Sequence, residues 1–197
     1  MQRGDAYVDL HTVYYAGGEI RGQIYPFVIP PPPPPPPPIF YATLSGANVV
    51  PPVKTEARGR ARFELSSAGS GLYFKLEATR IERVTAAHIH LGVEGANGPI
   101  VAVLLGLPVN RPDPLTPSGP GIDWAPGIVV QGTLTDDDIL PQPDLGFDGS
   151  LAALVSWMRR GAAYVVVRTV AHPTGEIRGQ IRPEPQTCPD RDCETGG

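Results

Sequence analysis

The sequence has little of several features that mark common classes of protein. It contains no run of about 18 apolar residues, so no segment is predicted to span a membrane as a helix. Its 16 Lys and Arg residues are outnumbered by 20 Asp and Glu residues, which gives a net charge of −4. This balance argues against nucleic-acid binding and against an anionic membrane surface as a partner.

Cysteine is also scarce, with only two residues in 197, Cys188 and Cys193. Both lie in the tail, residues 184–197, and no further Cys or His is near enough in sequence to complete a tetrahedral metal site there. A small disulfide loop between them would fit an oxidising compartment. The alternative is a pair of unpaired thiols.

Proline and glycine are abundant, at 25 and 23 residues, and nine of the prolines are consecutive, at 30–38. Such a run has no N–H donors and a fixed φ, so neither a sheet nor a helix can include it. It is predicted to form a polyproline II rod of roughly 28 Å. We interpret residues 26–38 as a linker. A ligand for a proline-binding domain is the alternative.

Residues 6–24 and 163–181 are an internal repeat with a constant offset of 157. The motif GEIRGQI closes both copies, at 18–24 and 175–181. We therefore interpret residues 1–25 as the closing hairpin of a preceding domain copy, and we expect the chain to begin inside a domain. This also accounts for the absence of a secretory signal at the start. The apolar side chains of the hairpin make self-association through residues 6–24 one expected outcome.

Residues 39–183 carry the complete unit. Period-2 alternation and the flanking Gly/Pro-rich turns predict eight strands. They are expected at 40–44, 60–65, 72–78, 85–91, 100–105, 128–134, 164–170 and 176–181. Apolar residues at helical spacing predict one short helix that Asp148 or Ser150 could cap at its start and that ends at Gly161. The expected fold is all-β, an antiparallel Greek-key-like sandwich or barrel with one short helix.

Several motifs in this unit, taken in order, resemble the CHRD (chordin) family. They are LSGANVVPPV at 44–53, AHIHLG at 87–92, NGPIV at 97–101, GTLT at 132–135 and the closing hairpin at 161–181. The resemblance implies an immunoglobulin-like or superoxide-dismutase-like β fold and a secreted or cell-surface location. The sequence departs from the family at Arg168, where the closing strand usually has a histidine, and at Val49, where a glutamate is usual.

His88 and His90 are the first candidate site. Two residues apart on a strand, they share one face and could chelate copper or zinc. A stable site needs a further ligand, for which His172 in a turn and Asp123 in a long loop are candidates. The alternative is a structural role, with both imidazoles hydrogen-bonded to the backbone or to a tyrosine.

The closing hairpin supplies the second candidate site. Tyr164, Arg168, Glu176 and Arg178 could form a polar binding surface beside the histidines. The alternatives are a solvated sheet face and an exposed ion pair between Glu176 and Arg178. Residues 136–138, three consecutive aspartates, could bind calcium, but they lack the spaced-ligand pattern, and we expect them to cap a short helical turn.

These observations favour a secreted or cell-surface module over an enzyme. No nucleophile–base pair can be identified, and no cofactor is expected beyond a copper or zinc ion at the histidines. The expected partner is an unknown protein or a cell-surface polymer, and a purely structural repeat is not distinguished from a binding module. The alternative function is a copper/zinc-binding protein of superoxide-dismutase type that uses His88 and His90.

Overall fold

A computed structural model of the chain describes residues 6–24, 36–106 and 127–184. The chain divides into two compact units at residue 35, and each is described here by itself. Three sequence predictions lie wholly or largely outside the described residues: the polyproline rod predicted over 30–38, of which 30–35 are not described, the ligand role of Asp123, and the disulfide between Cys188 and Cys193. Within the described part, no helix is long and apolar enough to cross a bilayer.

The first unit is a β-hairpin, as the repeat predicts. Strands β1 (Tyr7–Leu10) and β2 (Ile20–Gln23) pair antiparallel, with Tyr7 opposite Gln23 and Leu10 opposite Ile20. Its large apolar side chains are mostly in solvent, and Val8 is 61% exposed. The hairpin therefore has regular strand pairing, but most of its large apolar side chains are not covered.

The second unit is built around one sheet of nine strands and a single α-helix among the described residues. The strands are β3 (Ile39–Ser45), β4 (Arg58–Leu65), β5 (Leu72–Thr79), β6 (Val84–Leu91), β7 (Ile100–Leu105), β8 (Gly127–Leu134), β9 (Ala163–Thr169), β10 (Ile177–Gln180) and β11 (Arg182–Pro183). The order in the sheet is β7-β6-β9-β10-β3-β4-β5-β8, and β11 also pairs with β3. All pairings are antiparallel, and the sheet is nearly closed into a barrel, which confirms the predicted all-β class.

Alternation of apolar and polar residues explains the meander of β3, β4, β5 and β8. In β5, every second side chain starting at Leu72 is buried, while those between them reach the surface. Phe63 of β4 lies opposite Phe74 of β5 and is fully buried. The alternate side chains of these strands thus fill the barrel, because a pleated strand directs successive side chains to opposite faces.

The helix α1 (Leu151–Arg159) lies where the sequence predicts it. Ser150 caps its start by accepting a hydrogen bond from Ala153 N–H at 3.1 Å, and Gly161 follows its end with φ +64°. The aspartates at 136–138 form a 3-10 turn with a capping box from Thr135, as expected, and Asp136 accepts from Leu151 N–H at 2.7 Å. The acidic run therefore organises the approach to the helix.

Two further features concern backbone contacts. Gly179 of β10 lies so close to β3 that a Cβ atom would be 2.6 Å from Thr43 O, so this close approach requires a glycine. The carbonyl of Pro38 accepts a hydrogen bond from Leu65 N–H at 3.2 Å. Pro38, the last proline of the run, therefore makes a backbone contact with β4.

Candidate binding site

Strands β6, β9 and β10 lie side by side, and both faces of this part of the sheet are buried. On the inner face, residues such as Ile89, Val165 and Ile177 belong to the barrel core. On the outer face, Tyr164 and Val166 are 1% and 5% exposed, yet they lie outside that core cluster. The solvated outer face that we considered as an alternative is therefore wrong.

Two segments cover this outer face, and we call them the roof: residues 46–57 and residues 92–99. Asn97 joins them by donating its Nδ2 hydrogen to Val50 O at 2.9 Å. The hydroxyl of Tyr164 accepts a hydrogen bond from Gly98 N–H at 2.9 Å. Thr55 donates to Glu176 at 2.7 Å. The polar side chains of the outer face thus hold the roof in place by satisfying its backbone and side-chain groups.

Aromatic rings and a guanidinium stack across the three strands. Tyr164 of β9 lies directly opposite His90 of β6, and their rings stack with centroids 5.1 Å apart and planes 14° apart. From β10, the Arg178 guanidinium lies over the same tyrosine ring, 3.5 Å from its centroid. His88 makes an edge contact with His90 at 6.1 Å. A cation over an aromatic face is attracted by the ring quadrupole, which fixes the position of Arg178.

Arg178 is only 2% exposed, and within the described residues the groups it contacts are neutral. It donates to Val93 O at 3.0 Å, to Asn97 Oδ1 at 3.3 Å and to Gln180 Oε1 at 3.5 Å. Burial lowers its pKa, and Glu94 acts in the opposite direction from a longer distance. Arg178 is therefore a buried cation whose direct contacts carry no negative charge.

Glu176 does not form the exposed ion pair with Arg178 that we considered. It is 8% exposed, and its two oxygens accept hydrogen bonds from the hydroxyls of Thr55, at 2.7 Å, and Thr169, at 2.8 Å. Because one acceptor oxygen serves the roof and the other the end of β9, Glu176 fastens the roof to the sheet.

The two histidines share the outer face, as their spacing predicts, and both are held neutral. Burial lowers the pKa of His88 to about 3, with smaller contributions from Arg168 and His90. Burial also lowers the pKa of His90 to about 4, against the opposing effect of Gly98, and both Arg168 and Arg178 contribute to the lowering. Both imidazoles are therefore in the neutral, singly protonated form at neutral pH.

His90 has its own partner in the backbone. Its Nδ1 is 2.8 Å from Gly98 O. In the neutral ring this nitrogen carries the hydrogen, so Nε2 is left with a lone pair. Two buried ring nitrogens, His88 Nδ1 and His90 Nε2, have no hydrogen-bond partner in the described residues.

The described residues bring no third ligand to this histidine pair. No group of three or more His, Cys, Asp or Glu residues that could hold a metal ion occurs in 6–24, 36–106 or 127–184. His172 lies in the β9–β10 turn, where its carbonyl accepts from Gly175 N–H. The positive charge of Arg168, which lowers the pKa of both histidines, also opposes a bound cation. The donor set present does not fit a closed copper or zinc site.

Between the outer face and the roof lies a pocket of about 480 Å³. Its apolar wall consists of Val49, Val50, Pro99, Ile100, Leu140 and Val166. Gly98 also lines the pocket, and the remaining lining residues have polar or basic side chains: His90, Asn97, Gln142, Tyr164, Arg168, Thr174 and Arg178. Small-molecule binding pockets commonly have this size and combine an apolar wall with polar groups.

The structure brings most of the predicted site residues together. His90, Tyr164, Arg168 and Arg178 line the pocket, His88 lies beside it, and Glu176 holds the roof. His172 does not line the pocket, and the tail cysteines lie outside the described residues. Sequence analysis missed the roof residues, although the NGPIV motif contains Asn97, and it missed Leu140 and Gln142, for which the sequence gives no signal.

The hairpin of the first unit repeats part of this arrangement. The Arg21 guanidinium lies over the Tyr7 ring at 3.6 Å, as Arg178 lies over Tyr164 at 3.5 Å. With the offset of 157, the four residue pairs of β1–β2 match those of β9–β10 one for one. His11, at the position of Arg168, contacts Ala16 O through Nδ1 at 2.8 Å.

Comparison with known proteins gives the family. The CHRD domain profile matches residues 40–181, which is most of the chain, and the chain belongs to the CHRD domain family. It is similar to chordin of Xenopus laevis, with 26% identity over 203 residues. That alignment covers 99% of this chain, so it includes the hairpin and the proline run as well as the domain. The chain spans 18% of the length of chordin.

Proposed function

We propose that this chain is an extracellular module that binds another protein through the roofed pocket and that it is not an enzyme. The observation that carries the proposal is the pocket itself, a preformed cavity of about 480 Å³ between the outer face of β6–β9–β10 and the roof. Membership of the CHRD family and similarity to chordin support the extracellular location and the protein partner.

The pocket chemistry supports binding rather than catalysis. Among its described lining residues there is no Asp, Glu, Ser, Cys or Lys, so the side chains that most often act as nucleophiles are missing there. His90 lines the pocket, but a pKa of about 4 makes it a weak base. Its Nδ1 is also engaged by Gly98 O. What the pocket offers a ligand is apolar contact, fixed hydrogen-bonding groups and positive charge.

The test is a peptide selection on the full chain. A random peptide library is selected on the immobilised protein, and each enriched peptide is measured against a Thr174→Trp variant. Thr174 is an exposed residue of the β9–β10 turn that lines the pocket, so an indole there should obstruct the pocket. We expect the enriched peptides to bind the variant at least about tenfold more weakly, a loss of about 1.4 kcal/mol.

Thr133→Trp is the matched control. Thr133 is exposed on β8, opposite Tyr73, and does not line the pocket, so the same substitution there adds the same ring elsewhere on the domain. Peptides that bind the wild type and both variants equally would show that the pocket is not the binding surface.

A further inference from the structure

The pocket has an imbalance of charge that points to the chemistry of its ligand. Its described lining includes the guanidiniums of Arg168 and Arg178 and no carboxylate, although the chain as a whole has a net charge of −4. His90 adds no charge, because it is neutral at physiological pH. The pocket is therefore a positive site in an acidic protein.

The direct contacts of Arg178 within the described residues do not neutralise the charge of this side chain. Its contacts are a backbone carbonyl, two amide oxygens and the face of the Tyr164 ring. Glu94, the carboxylate that influences it from a distance, pairs instead with Arg182 at 2.7 Å. Charged side chains this deeply buried are normally paired, so a bound anion would complete the environment of Arg178.

We propose that the pocket recognises a carboxylate of a partner's peptide chain, with an apolar side chain next to it. This inference rests on the proposed function and names the group that the pocket binds. A planar guanidinium matches a carboxylate in shape and charge. The apolar wall, which includes Val50, Ile100 and Leu140, would cover the neighbouring side chain.

The same walls disfavour a sulfated sugar, which is the other common extracellular anion. Its many charged and hydrated groups would have to be desolvated against six apolar residues.

The experiment uses peptides that bind the full chain and lose binding to Thr174→Trp, taken from a library with free carboxyl termini. Each is resynthesised with its Asp or Glu changed to Asn or Gln, or with its terminal carboxylate amidated. We expect one of these replacements to weaken binding at least about tenfold, the effect of losing a charge-assisted hydrogen bond. The protein is unchanged in this comparison, so its folding does not affect the result.

A substitution in the protein provides the second measurement. Arg178→Gln should weaken the carboxylate peptides by a similar factor and leave their amide versions unaffected, while Arg160→Gln, an exposed arginine at the end of the helix, should affect neither. Circular dichroism would establish that both variants are folded. If Arg178→Gln does not fold, the comparison of carboxylate and amide peptides on the wild-type protein still tests the proposal.

The outcomes separate this inference from the proposed function. Peptides that depend on the pocket but bind equally well as amides would refute the carboxylate and leave the binding function intact. A sulfated heparin oligosaccharide that binds the wild type but not Thr174→Trp, with no peptide doing so, would refute the peptide partner. A library that yields no peptide sensitive to Thr174→Trp would count against both.

Discussion

Acidification tests the buried histidines directly. His88 and His90 are 2% and 7% exposed, and their pKa values are lowered to about 3 and about 4. In the unfolded chain a histidine has a pKa of about 6.5. Between pH 6.5 and pH 4 the unfolded state therefore binds more protons than the folded state, so the free energy of unfolding falls as the pH falls through this window.

The size of the effect follows from the same values. One pH unit corresponds to about 1.36 kcal/mol per differential proton, and pH 5 lies about 1.5 units below the unfolded pKa. Each histidine should therefore cost about 2 kcal/mol at pH 5 relative to pH 8, and the two together about 4 kcal/mol. This is a large share of the 5–15 kcal/mol that is typical of a domain. Burial is the main reason that the folded pKa values are low; the charge of Arg168 lowers the pKa of both histidines further, and that of Arg178 lowers the pKa of His90.

Urea unfolding at half-unit steps between pH 5 and pH 8 measures this dependence. His88→Gln and His90→Gln should each remove about half of the pH dependence of the free energy of unfolding that is due to the histidines. The double variant should remove all of this contribution. Ile139→Val is the control, because it costs about 1 kcal/mol in the core without removing a titrating group. A wild-type curve that is flat, or a slope that survives in the double variant, would refute the neutral, buried state of these histidines.

Three other predictions concern metal, self-association and the linker. Adding Zn²⁺ or Cu²⁺ should shift the melting temperature of the wild type no more than that of a His88→Gln/His90→Gln variant, because no third ligand is near in the described residues; a shift confined to the wild type would indicate a metal site. The hairpin exposes Val8 and Leu10, so deleting residues 1–29 should lower the number of chains per particle measured by sedimentation; a monomer both with and without these residues would contradict self-association. Deleting residues 30–35 should change the melting temperature of the domain by less than about 3 °C, which corresponds to about 1 kcal/mol, and a larger loss in calorimetry would show that these prolines pack on it.

The strands and the helix could be predicted from the sequence because each depends on a local pattern. The alternation along β5 and the cap at Ser150 are both visible within a few residues, and the eight predicted strands end within two residues of the observed ones. The two-residue strand β11 was not predicted. The pairing of His90 with Tyr164 could be suggested only as one possibility, because it depends on which strands are neighbours.

The burial of the outer face could not be predicted, because it depends on contacts that are distant in the chain. Asn97 meets Val50, which is 47 positions away, and Arg178 meets Val93, which is 85 positions away. A strand such as β9, with charged and apolar residues on one face, has the sequence pattern of a solvated sheet. In the folded domain Arg168 is nevertheless buried, at 5% exposed.

The two hairpins separate what is intrinsic to this motif from what the domain adds. Arg21 stacks on Tyr7 although both side chains are largely exposed, so the pair forms through the register of the hairpin, in which the two residues are diagonal neighbours. In the complete domain the same pair is covered by the roof and gains the hydrogen bond from Arg178 to Val93 O. The hairpin therefore positions the guanidinium, and the roof covers it, so that Arg178 becomes part of the pocket lining.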